Sequence, residues 1–464
     1  MKRIFCVVLC LAIALQLQGK GVKYVFYFIG DGMGVNTVAY TQYYKAAENG
    51  SKGAEPLLFS NFPVVSIAST WSNSSRVTDS AASGTALATG VKTNNRVIGL
   101  DPDGNPLESI AAKCAGNGRK VAILTTVGIN HATPASFYAH QPTRDNYDQI
   151  VYDMASAGFD FYAGSKVLRS KKNIIEDLDY EKVMTDAGYT IVGGHEQFKS
   201  EYRNASKMLY VCDKKHRVSR AIDRDVVSRI PVTLEDYLNS AIEFLMKDGC
   251  RQGFFLMAEG GDIDGCNHGR DAAASVKEVL DFEKAVAVAY EFYRKHPDET
   301  AILITADHDT GSPYLAIDKG ADPSRLDYQT ASCGRITETL KTMMKKEALS
   351  WDQVKDFLSE NFGLWTKVEV KKEDESHLRD VYDKTIAKAE TGNVTDDFGY
   401  NNDAVIVFEA MQILDKYAGV VWPTRTHSAG YVPVYYIGPH PELFDGALDN
   451  ACFVEKLETL MRAK

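Results

Sequence analysis

Acidic and imidazole side chains are grouped directly after three short apolar runs of this sequence. The runs predict β-strands buried on both faces, because they are continuously apolar and do not alternate with polar residues. Ligands of open α/β sheets bind beyond the carboxyl ends of the strands, where these side chains would lie. The groups are Asp31 after Val22–Ile29, then Glu259, Asp262, Asp264 and His268 after Gly253–Met257, and Asp307 with His308 after Ala301–Thr305.

A divalent cation is the ligand that these groups favour. Asp264 and His268 are four residues apart and would face the same way on a helical turn. Carboxylate oxygens and imidazole nitrogens suit zinc, and His427, which precedes the predicted strand Val432–Ile437, can complete the set. A cluster of salt bridges ranks second, because so many chargeable groups behind an apolar strand would be costly without a cation. Asp31 taken alone could equally cap a helix.

The segment Val77–Ala86 offers a nucleophile. Asp79 or Thr78 can cap a helix that runs through the following alanines, which places Ser80 in its first turn. The free N–H groups and the dipole of a helix N-terminus stabilise an alkoxide or a phosphoryl group there. An ordinary helix start is the plain alternative, and no Gly-x-Ser-x-Gly elbow indicates an esterase.

Two further side chains that suit phosphate chemistry follow the predicted strand Lys120–Thr126. Thr133 offers a hydroxyl to a hard cation such as Mg²⁺. Arg144 offers a planar fork that can hold two phosphoryl oxygens at once. Neither residue by itself would indicate a site for a cation or a phosphate group.

The elements that position these groups follow an α/β pattern. Helical stretches lie between the apolar runs, among them Leu234–Lys247, which starts with the capping pair Thr233 and Asp236, and Ala272–Lys295. This alternation predicts a doubly wound, mostly parallel central sheet with helices on both faces. The predicted strands are Val22–Ile29, Val64–Ala68, Lys120–Thr126, Gly253–Met257, Ala301–Thr305 and Val432–Ile437.

We predict a single catalytic domain over residues 20–464. Residues 335–419 contain charge-rich helical runs and few strands, so we interpret them as a helical cap insertion. The polar stretch Lys166–Arg229 is predicted to be peripheral.

The first 19 residues have the pattern of a signal peptide. Lys2 and Arg3 precede the apolar run Ile4–Leu15, which is too short for a comfortable membrane span. We therefore expect an exported protein, periplasmic or secreted, with no transmembrane segment after removal of this leader.

Composition limits the possible functions. The 464 residues are 45% hydrophobic and 25% charged, which disfavours disordered and multi-span membrane classes. The formal net charge of −10 disfavours a general nucleic-acid binder, and an anionic substrate would need a local attraction such as a bound metal. Two of the eight cysteines lie in the predicted leader, and the others are widely spaced without a Cys-x-x-Cys pair. This spacing indicates no thiolate zinc site and leaves one or two disulfides open.

Six motifs, in this order, resemble the alkaline phosphatase family: FIGDGMG, VTDSAASGTALATG, HATPASFYAH followed by Arg144, AEGGDIDGCNH, TADH and THSAG. The resemblance covers most of the chain after residue 19. It implies hydrolysis of small phosphate monoesters to an alcohol and inorganic phosphate, through a covalent phosphoserine on Ser80. It also implies that Arg144 binds the phosphate and is oriented by Asp79.

The resemblance further implies two Zn²⁺ ions, one Mg²⁺ ion and a homodimer. The implied ligands are Asp264, His268 and His427 for one zinc, Asp31, Asp307 and His308 for the other, and Asp31, Thr133 and Glu259 for magnesium, with His131 beside that site. A phosphodiesterase of the same fold is the first alternative, although such relatives often use threonine as nucleophile. A non-catalytic metal-binding or phosphate-binding module is the second, and the presence of both Ser80 and Arg144 argues against it.

Overall fold

Ten strands pair into one central sheet in the computed structural model, which describes residues 21–316, 320–386 and 405–462. The predicted signal peptide therefore lies outside the described residues. The strands of this sheet are β1 (Tyr24–Gly30), β2 (Val64–Ser69), β3 (Lys120–Thr125), β4 (Phe161–Gly164), β5 (Tyr189–Val192), β6 (Lys207–Val211), β9 (Phe254–Gly260), β10 (Thr300–Thr305), β15 (Val432–Ile437) and β16 (Ala447–Asp449).

The strand order is β16-β2-β15-β10-β1-β9-β3-β4-β6-β5. Strand β15 is antiparallel to both of its neighbours, and every other pairing in this sheet is parallel. The predicted mostly parallel sheet is thus confirmed. Six short strands form three separate two-stranded ribbons: β7 (His216–Arg217) with β8 (Ile230–Pro231), β11 (Asp309–Thr310) with β14 (His427–Ser428), and β12 (Tyr314–Leu315) with β13 (Val420–Val421).

The centre of the sheet is formed by β1 between β9 and β10, with all seven residues of β1 buried. Alternate side chains of β1 pack on opposite faces. Phe26 makes an edge contact with Phe292 on one face, and Tyr27 makes one with Phe137 on the other. Phe292 lies in the helix Ala272–Lys295, and Phe137 follows the short helix Ala132–Ala135 by two residues. Helical segments therefore lie on both faces, as predicted.

The helices fill the connections between the strands. Thr233 and Asp236 form the predicted capping box, and the helix that they start ends one residue before its predicted end. The α-helices are α1 (Val35–Glu48), α2 (Ser80–Thr89), α3 (Ile110–Gly116), α4 (Ala132–Ala135), α5 (Tyr147–Ala157), α6 (Tyr180–Asp186), α7 (His195–Glu201), α8 (Leu234–Met246), α9 (Asp262–His268), α10 (Ala272–Lys295), α11 (Cys333–Met344), α12 (Trp351–Phe362), α13 (Lys372–Lys384), α14 (Val405–Ala418) and α15 (Phe453–Arg462).

All six predicted strands are present, each within two residues of its predicted bounds at both ends except at the carboxyl end of β9. The prediction that Lys166–Arg229 is peripheral is wrong in part, because β5 and β6 belong to the main sheet. Both strands are short, and β5 lies at the sheet edge with only its two end residues buried. A short, half-exposed edge strand has too little apolar pattern to stand out in a polar stretch. The prediction also missed β4.

Helices α11 to α14 enclose an apolar cluster of their own, distinct from the main core. Leu340, Leu358, Leu378 and Leu414 contribute one fully buried side chain from each of these helices. Asp271, at the start of α10, ties this region to the sheet domain by accepting a hydrogen bond of 2.9 Å from the backbone of Cys333.

No helix in the described ranges is both long and apolar enough for a membrane crossing. The six cysteines outside the predicted leader are all free thiols in the structure.

Candidate metal centre and nucleophile

Three adjacent strands deliver carboxylates to the same edge of the sheet. Asp31 directly follows β1, Glu259 lies one residue before the end of β9, and Asp307 follows β10 by two residues. The turn after β1 is tight: the backbone N–H of Asp31 donates to the carbonyl of Gly260 at 3.2 Å. The parallel register of β1 with β9 and β10 thus brings together groups that are more than 270 residues apart in sequence.

Gly32 allows this turn to approach the neighbouring groups closely. Its φ of +69° lies in the left-handed region that favours glycine, and a Cβ there would lie 2.8 Å from Asp264 Oδ1. Its backbone N–H donates to Asp307 Oδ1 at 3.1 Å. A side chain at this position would therefore push apart the groups that the strands assemble.

The first cluster consists of Asp31, Asp307 and His308. Their ligand atoms lie within 4.8 Å of one another, and all three side chains are buried. His308 Nε2 lies 3.1 Å from Asp307 Oδ2 and 3.5 Å from Asp31 Oδ1. This arrangement can hold a cation between two carboxylates and an imidazole.

The second cluster consists of Asp264, His268 and His427. His268 Nε2 lies 3.4 Å from Asp264 Oδ2 and 3.2 Å from His427 Nε2. His268 Nδ1 lies 2.6 Å from the carbonyl of Arg425, and His427 Nδ1 lies 2.9 Å from that of Thr78. Each ring donates its Nδ1–H to a carbonyl, so its Nε2 lone pair faces the cluster, as in metal-binding histidines. His308 lies within reach of this cluster as well.

The third cluster contains Asp31, Glu259 and Thr133, with His131 beside them. The Thr133 hydroxyl donates to Asp31 Oδ2 at 3.3 Å. Asp31, His131 and Glu259 place ligand atoms within 4.8 Å of one another. The oxygen-rich part of this set suits a hard cation. The neighbouring Thr125 hydroxyl donates to Glu259 Oε2 and fixes that carboxylate.

Ser80 begins α2, and its side chain is buried beside the first cluster. Its hydroxyl oxygen lies 3.2 Å from His308 Nε2. Asp79 is the N-cap residue, and its side chain accepts a hydrogen bond of 3.1 Å from the backbone of Ala82. The predicted helix N-terminus is confirmed, and it places the hydroxyl where the helix dipole favours negative charge.

Arg144 faces the same helix start. Its Nη1 donates to Asp79 Oδ2 at 3.1 Å, and its Nη2 donates to His131 Nε2 at 3.0 Å. Asp79 Oδ1 also accepts from the backbone of Arg96 at 3.0 Å. The guanidinium is therefore held at both ends, and each terminal nitrogen retains a second N–H for an anion.

Burial and mutual repulsion raise the pKa values of the clustered carboxyl groups. Burial, reinforced by neighbouring carboxylates, raises the pKa of Asp31 well above its ordinary value and that of Asp307 to about 8. Burial raises the pKa of Glu259 to about 7. Burial and nearby cationic groups lower the pKa of His308 well below its usual range, and burial with the Arg144 charge lowers the pKa of His131 to about 3.

Several ligand atoms in these clusters are buried without a hydrogen-bond partner. They include Asp31 Oδ1, Glu259 Oε1 and Asp307 Oδ2. Buried polar atoms are rarely left without a partner, and a carboxylate set of this density is costly without positive charge. The donor set therefore fits divalent cations.

One candidate from the sequence, Asp262, lies apart from the clusters, and Asp309 does so too. Asp262 faces Arg220, with 3.8 Å between Oδ1 and Nε, and Asp309, next to His308, accepts a hydrogen bond from the hydroxyl of Ser428 at 2.5 Å.

Sequence reasoning missed the role of Thr310. Its hydroxyl donates to Asp264 Oδ1 at 2.6 Å and lies 3.1 Å from His308 Nδ1. It therefore accepts the Nδ1–H of His308 and leaves the Nε2 lone pair facing Ser80. A threonine two residues after a histidine is too common to be noticed in the sequence.

Comparison with known proteins gives a consistent result. Residues 22–175 and 165–462 match the family model described as alkaline phosphatase. Alkaline phosphatase 3 of Bacillus subtilis (strain 168) is 30% identical over 439 residues, which cover 92% of this chain and 87% of that protein.

Solved structures show the same fold. A cold-active alkaline phosphatase from the psychrophile Shewanella sp. superposes with a TM-score of 0.75 at 26% identity, over 94% of this chain and 99% of that one. A mutant of the TAB5 alkaline phosphatase, described with Mg bound in its M3 site, superposes with a TM-score of 0.65 at 24% identity, over 96% and 99% of the two chains.

Proposed function

The chain belongs to the alkaline phosphatase family, a family of metal-dependent phosphate monoester hydrolases, and from that premise we propose that Ser80 is its nucleophile. The observation that carries this proposal is the 3.2 Å separation between Ser80 Oγ and His308 Nε2 at the edge of the Asp31, Asp307 and His308 cluster. A hydroxyl in the first turn of a helix, beside a cation site, is activated for attack on phosphorus.

We propose two zinc sites and one magnesium site. The Nε2 lone pairs of the histidines support zinc in the first two clusters, and the oxygen-rich third cluster supports magnesium. When bound, such ions lower the pKa of a coordinated hydroxyl and neutralise charge on the phosphoryl oxygens. The proposed ligands are Asp264, His268 and His427 for one zinc, Asp31, Asp307 and His308 for the other, and Asp31, Thr133 and Glu259 for magnesium.

The reaction then has two displacements at phosphorus. Ser80 Oγ loses its proton and bonds to phosphorus, while the bond to the ester oxygen breaks and the leaving alcohol takes up a proton. Water next attacks the phosphoserine, phosphate leaves, and Ser80 Oγ regains a proton. Arg144, oriented by Asp79, donates its remaining N–H groups to the phosphoryl oxygens in both steps.

Chelation tests the metal requirement. We expect the purified protein to hydrolyse a phosphate monoester and to lose this activity after prolonged treatment with a chelator, because Ser80 then lacks its activating charge. Zn²⁺ and Mg²⁺ added together should restore it, and elemental analysis should find them in a ratio of two to one. Activity that survives complete removal of metal would refute the proposed sites. A large preference for a diester over the matching monoester would instead indicate a phosphodiesterase.

We further propose that the chain is exported and is periplasmic or secreted. We also propose that residues 20–464 form one domain, with a cap over residues 335–419. Finally, we propose that two copies of the chain form a homodimer. The composition of residues 1–19 supports export, and the separate apolar cluster of helices α11 to α14 supports the cap. The homodimer rests on family membership, and analytical ultracentrifugation tests it.

A further inference from the structure

A cavity of about 710 Å³ adjoins the proposed reaction centre and takes no part in the mechanism above. Its lining includes His131, whose Nε2 accepts from Arg144, and Asp262, two residues before Asp264. A cavity of this volume is large enough for a small organic group. It therefore offers space for a part of the substrate other than the reacting phosphate.

Five basic side chains line this cavity together with four carboxylates, those of Asp213, Asp223, Asp262 and Glu338. The basic residues are Lys166, Arg217, Arg220, Arg229 and Arg335. Most of them come from the segment 213–229, which carries six lysines and arginines against three aspartates, in a protein whose formal net charge is −10. The basic residues that have no carboxylate partner would attract an anion that enters the cavity.

The acidic groups that line the cavity are largely occupied by other partners. Asp213 Oδ1 accepts from His216 Nδ1 at 2.8 Å. Asp223 accepts from the backbone and the hydroxyl of Ser332, both at 2.7 Å. Glu338 pairs with Arg335 at 3.6 Å. Asp262, the remaining carboxylate of the lining, lies 3.8 Å from Arg220 Nε. Two of the five basic residues thus have a carboxylate partner, and the other three form no ion pair in the described ranges.

Lys166, Arg217 and Arg229 make no hydrogen bond or ion pair through their side chains with any residue in the described ranges. All three are exposed to solvent. Scattered exposed cations are ordinary on a protein surface, but these three share one cavity beside a phosphate-binding centre. Their free donors match the oxygens of an anionic group.

Arg220 lies beside both the cavity and the second cluster, and its Nε is 3.8 Å from Asp262 Oδ1. Its Nη2 lies 3.1 Å from the position that a Cβ on Gly265 would occupy, and Gly265 directly follows Asp264. The absence of a side chain at Gly265 leaves the guanidinium room at the boundary between the cavity and the second cluster. Arg220 therefore places a positive charge at this boundary.

We propose that this cavity binds a second phosphate group of the substrate, so that the chain prefers monoesters whose leaving group carries a further phosphate. This inference rests on the phosphatase function proposed above. Guanidinium and ammonium groups bind the second phosphate while the first is attacked by Ser80. The second phosphate undergoes no reaction while it is bound in the cavity.

This proposal can be tested with straight-chain alkanediol bisphosphates of increasing length. Each is compared with the alkyl monophosphate of the same length. We expect kcat/KM for the bisphosphate to exceed that for the monophosphate by about tenfold at one intermediate length, beyond the statistical advantage of two equivalent esters. The advantage should fall at high ionic strength, because salt screens exposed charges. Equal values at every length would overturn the proposal, whereas failure to cleave either ester would overturn the phosphatase function itself.

A matched variant identifies the residues responsible. The double substitution Lys166→Gln and Arg217→Gln should abolish most of the bisphosphate preference and leave hydrolysis of the alkyl monophosphate unchanged. Arg251→Gln, which removes an exposed arginine that lines a different cavity, should keep the preference. A double variant with the full preference would refute the assignment.

Inhibition of the unmodified protein gives a measurement that needs no variant. Alkane diphosphonates should inhibit hydrolysis of the alkyl monophosphate more strongly than the corresponding monophosphonates, with the strongest inhibition at the same chain length. Equal inhibition constants at all lengths would contradict a second phosphate site.

Discussion

The hydroxyl of Ser80 is buried at the start of α2, and its hydrogen-bond contact is with His308 Nε2 at 3.2 Å. We expect Ser80→Ala to lower kcat for phosphate monoesters by at least about 10³-fold, because the variant has no oxygen at the position of attack. Its content of zinc and magnesium should stay normal, since the proposed metal ligands are intact. Steady-state kinetics combined with elemental analysis measure both quantities.

Thr89→Ala is a suitable control for this substitution. Thr89 ends the same helix, and its hydroxyl donates to the carbonyl of Thr85 at 2.7 Å, away from the clusters. The control should retain turnover while losing a hydroxyl from the same element. A Ser80→Ala protein that turns over substrate as fast as the unmodified chain would exclude Ser80 as the nucleophile.

At this scale the sequence predicts the charged groups better than the hydroxyls. Asp31, Asp307 and His308 stand out because each follows an apolar strand, where an unpaired charge is costly. Thr125 and Thr310 do not stand out, because threonine is common in and after strands. Their roles depend on which atom each hydroxyl faces, and for Thr310 that depends on the pairing of β11 with β14.

At the scale of elements, the N-terminus of α2 combines two functions in Asp79. Its carboxylate caps the helix through Ala82 and forms an ion pair with Arg144. We expect Asp79→Asn to retain the cap and Asp79→Ala to lose it, so only the alanine variant should lose about 1 kcal/mol of unfolding free energy. Both variants should lower kcat/KM by about 3- to 10-fold, because both release the guanidinium from its orientation.

Urea denaturation and monoester kinetics separate these two functions. The asparagine variant is the matched control for the helix cap, since asparagine and aspartate cap helices about equally well. If the asparagine variant were as unstable as the alanine variant, the ion pair and not the cap would stabilise this helix. If both kept full activity, the orientation of Arg144 by Asp79 would be excluded.

Element prediction succeeds where the apolar signal is long and fails where it is short. Buried strands β1, β9 and β10 are continuous apolar runs, so their presence and their parallel pairing were predictable. Strands β4 to β6 have four or five residues each and lie toward one edge. Strand β15 is antiparallel to both neighbours, a direction that its continuous apolar run does not encode.

At the scale of the whole molecule, the carboxylate clusters concentrate negative charge where the sheet ends. The net charge of the protein is −10, so the rest of the chain supplies no excess positive charge to offset these carboxylates. Ions bound there would act on the stability of the entire fold, since they bind the assembled clusters and not the unfolded chain. Folding and metal binding should therefore be coupled, with a dependence on pH that follows from the buried groups.

The sign of this dependence follows from the groups that titrate. The pKa of Asp307 is raised to about 8 and that of Glu259 to about 7, so the folded metal-free chain holds protons that the unfolded chain has already lost. Stability then falls as pH rises, by up to about 1.4 kcal/mol per pH unit for each extra proton bound. His131 has the opposite effect, because its pKa is lowered to about 3 from 6.5, but it acts only below pH 6.5.

We therefore expect the melting temperature of the chelated protein to fall between pH 6.5 and pH 8, the window in which the carboxyl groups act without opposition from the histidines. Zn²⁺ and Mg²⁺ should raise the melting temperature more at the upper end of this window, because cations replace protons that are no longer bound. Calorimetry of chelated and metal-loaded protein across the window measures both effects. The double substitution Asp307→Asn and Glu259→Gln removes two of the carboxyls whose pKa values are raised and should make the fall in the chelated protein shallower, while buried Glu278, whose pKa is raised to about 8, remains. A chelated protein that becomes more stable across this window would show that protons do not compensate the clustered charge.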